Sequence, residues 1–244
     1  MKKTFFLFAA LVVLFSAMRG QNTRFQVYSF EQGLPGSTIY GITQDDKGYL
    51  WLATDGAGLC RFDGIKFKVF GEKEGFPATT VRCVMKDSRG RIWAGTKDEG
   101  VILYDGYSFN QVGKSSGLGG SSILCLLEDA QGNIWAGSDD AGINKISANG
   151  LKKANGTDSF SVEVINQEKG LKNNSIFSAC ADKKGRIWLA TYEGIDLVEV
   201  NKTGWKVLGV KGSVPNGIIL SVEKDEKDIL WFGSLDAGIF CIDP

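Results

Sequence analysis

Histidine is absent from all 244 residues, and several chemistries go with it. Ser-His-Asp catalysis needs an imidazole to move the proton, and the common zinc centres draw on imidazole ligands. A phospho-accepting histidine is excluded on the same ground. Proline is scarce, at 4 residues, whereas glycine reaches 32. With 43% hydrophobic residues, this balance describes a packed globular chain and argues against disorder. An excess of either charge is also missing, since 28 basic groups meet 28 acidic ones. No apolar run approaches the ~20 residues that a membrane-spanning helix needs. Cysteine pairs of the short Cys-x-x-Cys kind, which mark zinc or redox sites, do not occur.

The N-terminus differs from the rest. Lys2 and Lys3 precede an unbroken apolar stretch from Phe5 to Phe15, followed by the small pair Ser16-Ala17. A positive start, a short apolar core and small residues after it predict a secretory signal peptide over residues 1–20, cleaved near Gly20 or Gln21. No cysteine stands at that point, which disfavours a lipoprotein. Loss of Lys2, Lys3 and Arg19 leaves 25 basic groups against 28 acidic ones. A slightly negative mature chain is not expected to bind nucleic acid or an anionic membrane. The expected location is exported and periplasmic, an oxidising compartment. Even so, the odd set Cys60, Cys83, Cys125, Cys180 and Cys241 cannot form a fully paired framework.

A repeat dominates what remains. Trp51, Trp93, Trp135, Trp188 and Trp231 are separated by 42, 42, 53 and 43 residues. Six residues before them stand Asp45, Asp87, Asp129, Asp182 and Asp225. Three residues before the first four stand Gly48, Gly90, Gly132 and Gly185, with Asp228 in that place in the fifth unit. Three residues after each tryptophan comes a hydroxyl, Thr54, Thr96, Ser138, Thr191 or Ser234. A second glycine follows at Gly58, Gly100, Gly142, Gly194 and Gly238.

Period-2 patterning and turn chemistry divide the first unit into four strands: Thr38–Thr43, Tyr49–Thr54, Leu59–Phe62 and Phe67–Phe70. The turns between them carry Asp as side-chain acceptor and Gly at a left-handed position. Four short antiparallel strands in ~40–45 residues is the period of a β-propeller blade. The fold class is therefore all-β, with five blade repeats over residues 24–244. Four residues before the aspartates stand Gly41, Cys83, Cys125, Ser178 and Ser221, all small. This slot is expected to face the crowded axis, with the five cysteines as buried free thiols. The tryptophans are expected to form inter-blade core rather than a sugar-stacking ladder.

Residues 24–28 resemble a fourth strand without a blade of its own, which closes the fifth blade if the ring is five-bladed. The chain stops at Ile242-Asp243-Pro244, where the first unit is entering its third turn. A chain truncated from a longer, seven-bladed propeller is the favoured of these two expectations.

The first unit, Gly33-Leu34-Pro35 through Asp45, Gly48, Leu50-Trp51, Gly58 and Arg61-Phe62-Asp63-Gly64, resembles the two-component regulator propeller repeat. Similar units begin at Gly75, Gly117 and Gly170. The unit starting at Gly212 departs most, and the third is stretched by a polar insertion around 152–156 that reads as a surface hairpin. The resemblance implies the periplasmic sensor region of histidine kinases and hybrid two-component receptors of Bacteroidetes-type bacteria. There, propellers precede a β-sandwich, a membrane helix and a cytoplasmic kinase. It implies a small-molecule ligand, with an oligosaccharide as one candidate, contact with the membrane only through a downstream segment, and room for a homodimer of the full receptor.

Propeller ligands generally lie over the axis, near the loops between second and third strands. Those loops make Asp55, Lys97, Asp98, Glu99, Asp139, Asp140, Tyr192, Glu193 and Asp236 the expected ligand-binding residues. An acidic rim for a polyhydroxy or cationic ligand competes with a plain account, in which Asp and Gly simply form turns. No cofactor, metal or catalytic residue is expected. The leading function is a ligand-sensing domain without catalysis of its own. A carbohydrate-active lyase or glycoside hydrolase, which needs paired carboxylates, is one alternative, and an extracellular interaction scaffold another.

Overall fold

Why an aspartate stands six residues before each tryptophan is a matter of hydrogen bonds. One oxygen of Asp87 accepts the backbone N–H groups of Arg89 (3.0 Å) and Arg91 (2.8 Å), and the other accepts Trp93 Nε1 at 2.8 Å. Asp45, Asp129, Asp182 and Asp225 repeat the pattern, with Trp Nε1 at 2.8, 2.8, 2.9 and 3.2 Å. The carboxylate thus builds the turn and orients the indole of the next strand. The turn needs a left-handed residue three places after the aspartate, supplied by Gly90 at φ 78° and its counterparts. In the fifth unit Asp228 takes that conformation at φ 71°, and its carboxylate accepts Lys183 N from the neighbouring turn at 3.1 Å. Aspartate tolerates this backbone better than most residues, and the extra bond offsets the strain.

The computed structural model describes residues 25–147, 160–201, 204–210 and 217–244. The expected signal peptide, Arg24, Gly212 and the insertion around 152–156 lie outside them. Blade 1 comprises β1 (Ile39–Gln44), β2 (Leu50–Thr54), β3 (Leu59–Phe62) and β4 (Phe67–Phe70). Blade 2 comprises β5 (Val81–Lys86), β6 (Ile92–Thr96), β7 (Val101–Tyr104) and β8 (Phe109–Val112). Blade 3 comprises β9 (Ile123–Glu128), β10 (Ile134–Ser138), β11 (Ile143–Ser147) and β12 (Ser161–Ile165). Blade 4 comprises β13 (Ile176–Ala181), β14 (Ile187–Thr191), β15 (Gly194–Asn201) and β16 (Gly204–Leu208). Blade 5 has β17 (Ile219–Lys224), β18 (Leu230–Ser234) and β19 (Gly238–Ile242). Every sheet is antiparallel with its strands in chain order, and the fifth is three-stranded. First strands touch in sequence, β1 to β5 to β9 to β13 to β17.

Four inter-blade cores hold the sheets together. Trp93, for example, packs with Leu103 on Ile123, Ile134 and Ile146 of blade 3, and Trp135 packs likewise on Ile176 and Ile187 of blade 4. Short 3-10 helices, such as Glu72–Glu74 and Lys114–Ser116, lead into the first strands of the next blades. Each ends on a left-handed glycine, after which Phe76, Leu118 or Leu171 drops into an inter-blade core. That explains the Gly-Leu and Gly-Phe pairs that open the repeats.

Three expectations need correction. Residues 25–29 form no strand, and the fifth blade has no fourth strand among the described residues. Tyr28 instead lies against Phe62 and Phe67 of blade 1, with ring centroids at 4.9 and 5.8 Å. An aromatic face left uncovered on blade 1 gives that segment a nearer partner than blade 5. Second, Cys241 is exposed rather than buried, because β19 borders the uncovered side of blade 5. Third, the small slot on the first strands faces the adjacent blade, not the axis. Cys83 Sγ sits 3.9 Å from Ile123 O, Cys125 Sγ 3.9 Å from Ile176 O, and Ser178 Oγ 3.4 Å from Val222 O. Burial pushes the Cys125 thiol up to about 12 and raises Cys83 as well, which keeps both protonated and unreactive.

Candidate ligand-binding site

The axis is reached by a different residue. In β1, Ile39 pairs with Thr54 and Gly41 with Ala53, so Tyr40 falls out of the ladder. The same slip in β5, β9, β13 and β17 leaves out Arg82, Leu124, Phe177 and Leu220. A β-bulge adds a residue to one strand and re-aims its side chain. These five bulges aim at one place, because Tyr40, Arg82, Leu124, Phe177 and Leu220 together line a cavity of about 290 Å³. Asp139, from the loop between β10 and β11, completes its wall.

Among the aliphatic and aromatic residues of the cavity stand two charged ones, Arg82 and Asp139. Arg82 Nε is buried without a hydrogen-bond partner, and no carboxylate among the described residues forms an ion pair with it. An Nε–H group in that state has given up water without gaining an acceptor, which costs free energy, while the rest of the half-buried guanidinium keeps contact with solvent. Asp139 is fixed through its backbone: its N–H donates to Ser122 O at 3.0 Å, and its carbonyl accepts the Ser175 hydroxyl. No side-chain bond ties its carboxylate among the described residues. Tyr40 is steadied by its hydroxyl, which donates to Asp55 Oδ2 at 3.4 Å, while Thr80 Oγ1 donates to Asp55 Oδ1 at 3.0 Å.

Of the nine residues expected from the loops, the structure brings only Asp139 into this cavity. Asp55 stands behind Tyr40 as its support. Asp98 and Glu99 line a separate cleft of about 250 Å³ with Gln111, Lys114 and Ser121, and Glu99 accepts Gln111 Nε2 at 2.8 Å. Glu193 accepts Asn173 Nδ2 at 3.2 Å, and Tyr192 is 52% exposed. Lys97 and Asp140 are exposed loop residues, as is Asp236, whose backbone N–H donates to Ser234 Oγ. One of the nine thus lines the axial cavity and two line the separate cleft. The loops owe their shape to the hydroxyl after each tryptophan, as where Thr96 Oγ1 donates to Gly100 O at 2.8 Å and accepts Glu99 N at 2.9 Å.

Antiparallel four-stranded blades, inter-blade tryptophan cores and inner strands that converge on one cavity define a β-propeller. The sequence pattern of the two component regulator propeller matches residues 33–56, 75–98, 117–140 and 170–193. The chain thus carries four copies of the two component regulator propeller repeat. No curated protein matches it at the level of sequence. Solved structures do. One is the extracellular domain of the putative one component system BT4673 from B. thetaiotaomicron, at TM-score 0.69 and 20% identity over 91% of this chain and 32% of that one. Another is the extracellular domain of the putative hybrid two component system BT3049 of the same organism, at TM-score 0.62 and 19% identity over 89% and 35%. The chain thus spans about a third of the length of these two structures. A catalytically inactive virginiamycin B lyase from Staphylococcus aureus, with one histidine changed to alanine, matches at TM-score 0.64 and 15% identity over 84% and 70%.

Proposed function

We propose that this chain is the exported, ligand-sensing propeller portion of a two-component-type receptor, without catalysis of its own. The observation that carries the reading is the set of five bulges that turn Tyr40, Arg82, Leu124, Phe177 and Leu220 onto one axial cavity. The blade frame repeats, but these five side chains do not, and a non-repeating lining on a repeating scaffold is how a binding surface is individualised. The four repeat copies and the extracellular domains that share the fold support the receptor role and a periplasmic location. The lyase shares the fold too, yet its named variant lost activity with one histidine, and this chain has none. An enzyme here has to work without that group.

A thermal-shift screen of saccharides and small metabolites on the whole chain tests the reading. Hits are expected to perturb the NMR signals of Phe177 and Tyr40, and to lose their effect when Phe177 is replaced by Ala. Hits that map only to other surfaces, or turnover of any hit, overturn it.

A further inference from the structure

We propose that the axial cavity receives a small zwitterion with an apolar body, its carboxylate on Arg82 and its ammonium on Asp139. The proposal rests on the reading of this cavity as the ligand site and names the class of ligand. Three features carry it. Arg82 supplies the only positive charge among the residues lining the cavity, and its buried Nε lacks an acceptor. A planar guanidinium in that situation is matched by a planar carboxylate, which accepts two parallel N–H bonds. Asp139 supplies the only negative charge in the same wall, on a loop pinned by two backbone bonds, yet it does not pair with Arg82. Two opposite charges that line one cavity without neutralising each other leave both for a partner of matching polarity.

The third feature is the apolar surface that shares the cavity with them. Leu124, Phe177 and Leu220 offer no hydrogen-bonding side-chain group, and the Tyr40 hydroxyl is already directed at Asp55. The side chains of these three residues offer a polyhydroxy ligand no partners for its hydroxyls, and desolvating hydroxyls against them is unfavourable. An aliphatic or aromatic body loses nothing there and gains from leaving water. A cavity of about 290 Å³ lies near the lower end of ordinary small-molecule sites, which suits a single amino acid or a short peptide more than an extended oligomer.

Isothermal titration and NMR on the whole chain, with L-phenylalanine as probe, test this directly. Two half-probes accompany it: 3-phenylpropionate keeps the carboxylate without the amine, and 2-phenylethylamine keeps the amine without the carboxylate. Phenylalanine is expected to bind more tightly than either. Arg82→Gln is expected to weaken phenylalanine and phenylpropionate by about tenfold or more, leaving phenylethylamine nearly unchanged. Asp139→Asn is expected to weaken phenylalanine and phenylethylamine only. Both residues lie outside the inter-blade cores, so unchanged thermal unfolding without ligand checks that the variants fold. The proposal is overturned if phenylalanine shows no binding at millimolar concentration, or if phenylpropionate binds as tightly as phenylalanine. It is also overturned if a neutral saccharide occupies the cavity and is indifferent to Arg82→Gln. That last result leaves the ligand-sensing reading standing, whereas hits confined to other surfaces remove both.

Discussion

Trp188 and Trp231 hold the same place in successive blades, yet the first is 4% exposed and the second 40%. Their own strands treat them alike, since each donates its indole N–H to the aspartate six residues earlier, at 2.9 and 3.2 Å. What differs is the neighbour. Trp188 is covered by Ile219, Val222, Leu230 and Phe232 of blade 5, while nothing among the described residues covers the corresponding face of blade 5. The opposite end of the array shows the mirror image. Val222 is buried against blade 4, but Ile42, at the same place in β1, is 61% exposed. A blade therefore folds on local bonds and turn residues but gains most of its apolar burial from the next blade, as stacked repeats do. The tryptophan is a device for joining blades, and only secondarily part of its own sheet.

The largest test of that contrast is truncation of the tryptophans. Trp135→Ala empties a fully buried inter-blade position and is expected to cost about 3–5 kcal/mol. Trp231→Ala removes a side chain that remains 40% in water, and a cost of about 1–2 kcal/mol is expected. Urea titrations of both variants measure the difference. Equal losses would break the comparison, because the neighbour would then contribute nothing.

Much of this framework is legible from residues alone. Each mark in the repeat does something local and physical. Asp accepts turn N–H groups, Gly permits a left-handed bend, and Ser or Thr closes the next loop. Strands such as Leu59–Phe62 and Phe67–Phe70 stand where alternation puts them. The axial cavity is hidden from sequence for two reasons. A bulge breaks the period of two by one residue, so alternation assigns Arg82 to the wrong face. And the five axial residues share no chemical type, so a search for repeated identities passes over them and stops at the small slot next door. The position is discoverable only as the place where otherwise similar blades disagree. Residues 25–28 mislead because an apolar alternation predicts extended backbone but does not say which edge, if any, it pairs with.

The aspartates sharpen the comparison at smaller scale. Asp129 accepts Gln131 N, Asn133 N and Trp135 Nε1, and Asp129→Ala leaves a buried indole N–H unpaired. A loss of about 2–3 kcal/mol is expected. Asp225 makes the same set of bonds to a half-exposed tryptophan, where water can replace it, and Asp225→Ala should cost clearly less than Asp129→Ala. Chemical denaturation gives both values, and an Asp225 loss as large as that of Asp129 counts against the role of coverage.

Acid adds a further contrast within the covered blades. Burial alone pushes the Asp182 carboxyl up, but bonds from Trp188 Nε1, Arg186 N and the Arg186 guanidinium outweigh it and hold the group below the usual carboxylate range. A carboxyl lowered by folding contributes stability that is present above its unfolded pKa and lost as pH falls through its folded value. Melting temperature is therefore expected to drop on the acid side of the ordinary Asp range. Asp182→Asn should flatten that slope, and an unchanged slope removes Asp182 as its source.

The smallest expected effect concerns a charge that coverage makes unfavourable. Asp196 pairs with Leu189 across the blade 4 sheet, as Asn144 pairs with Ala136 in blade 3, so the two side chains occupy equivalent places. Asn144 accepts Gly119 N at 2.8 Å and donates to Ala136 O at 3.1 Å. Asp196 accepts Lys172 N at 2.9 Å but has no proton to give when ionised, and burial pushes its carboxyl above the ordinary value. Here the sign is reversed: the favourable contribution is complete below the unfolded pKa and disappears as pH rises through the folded one. Asp196→Asn keeps the acceptor, supplies a donor and removes the buried charge. A gain of about 0.5–1 kcal/mol is expected at neutral pH, shrinking toward zero below the usual carboxylate range. Paired urea midpoints at neutral and acid pH measure it. A difference that does not change with pH would place its origin in packing, and coverage by the neighbouring blade would then not be what makes the carboxylate costly.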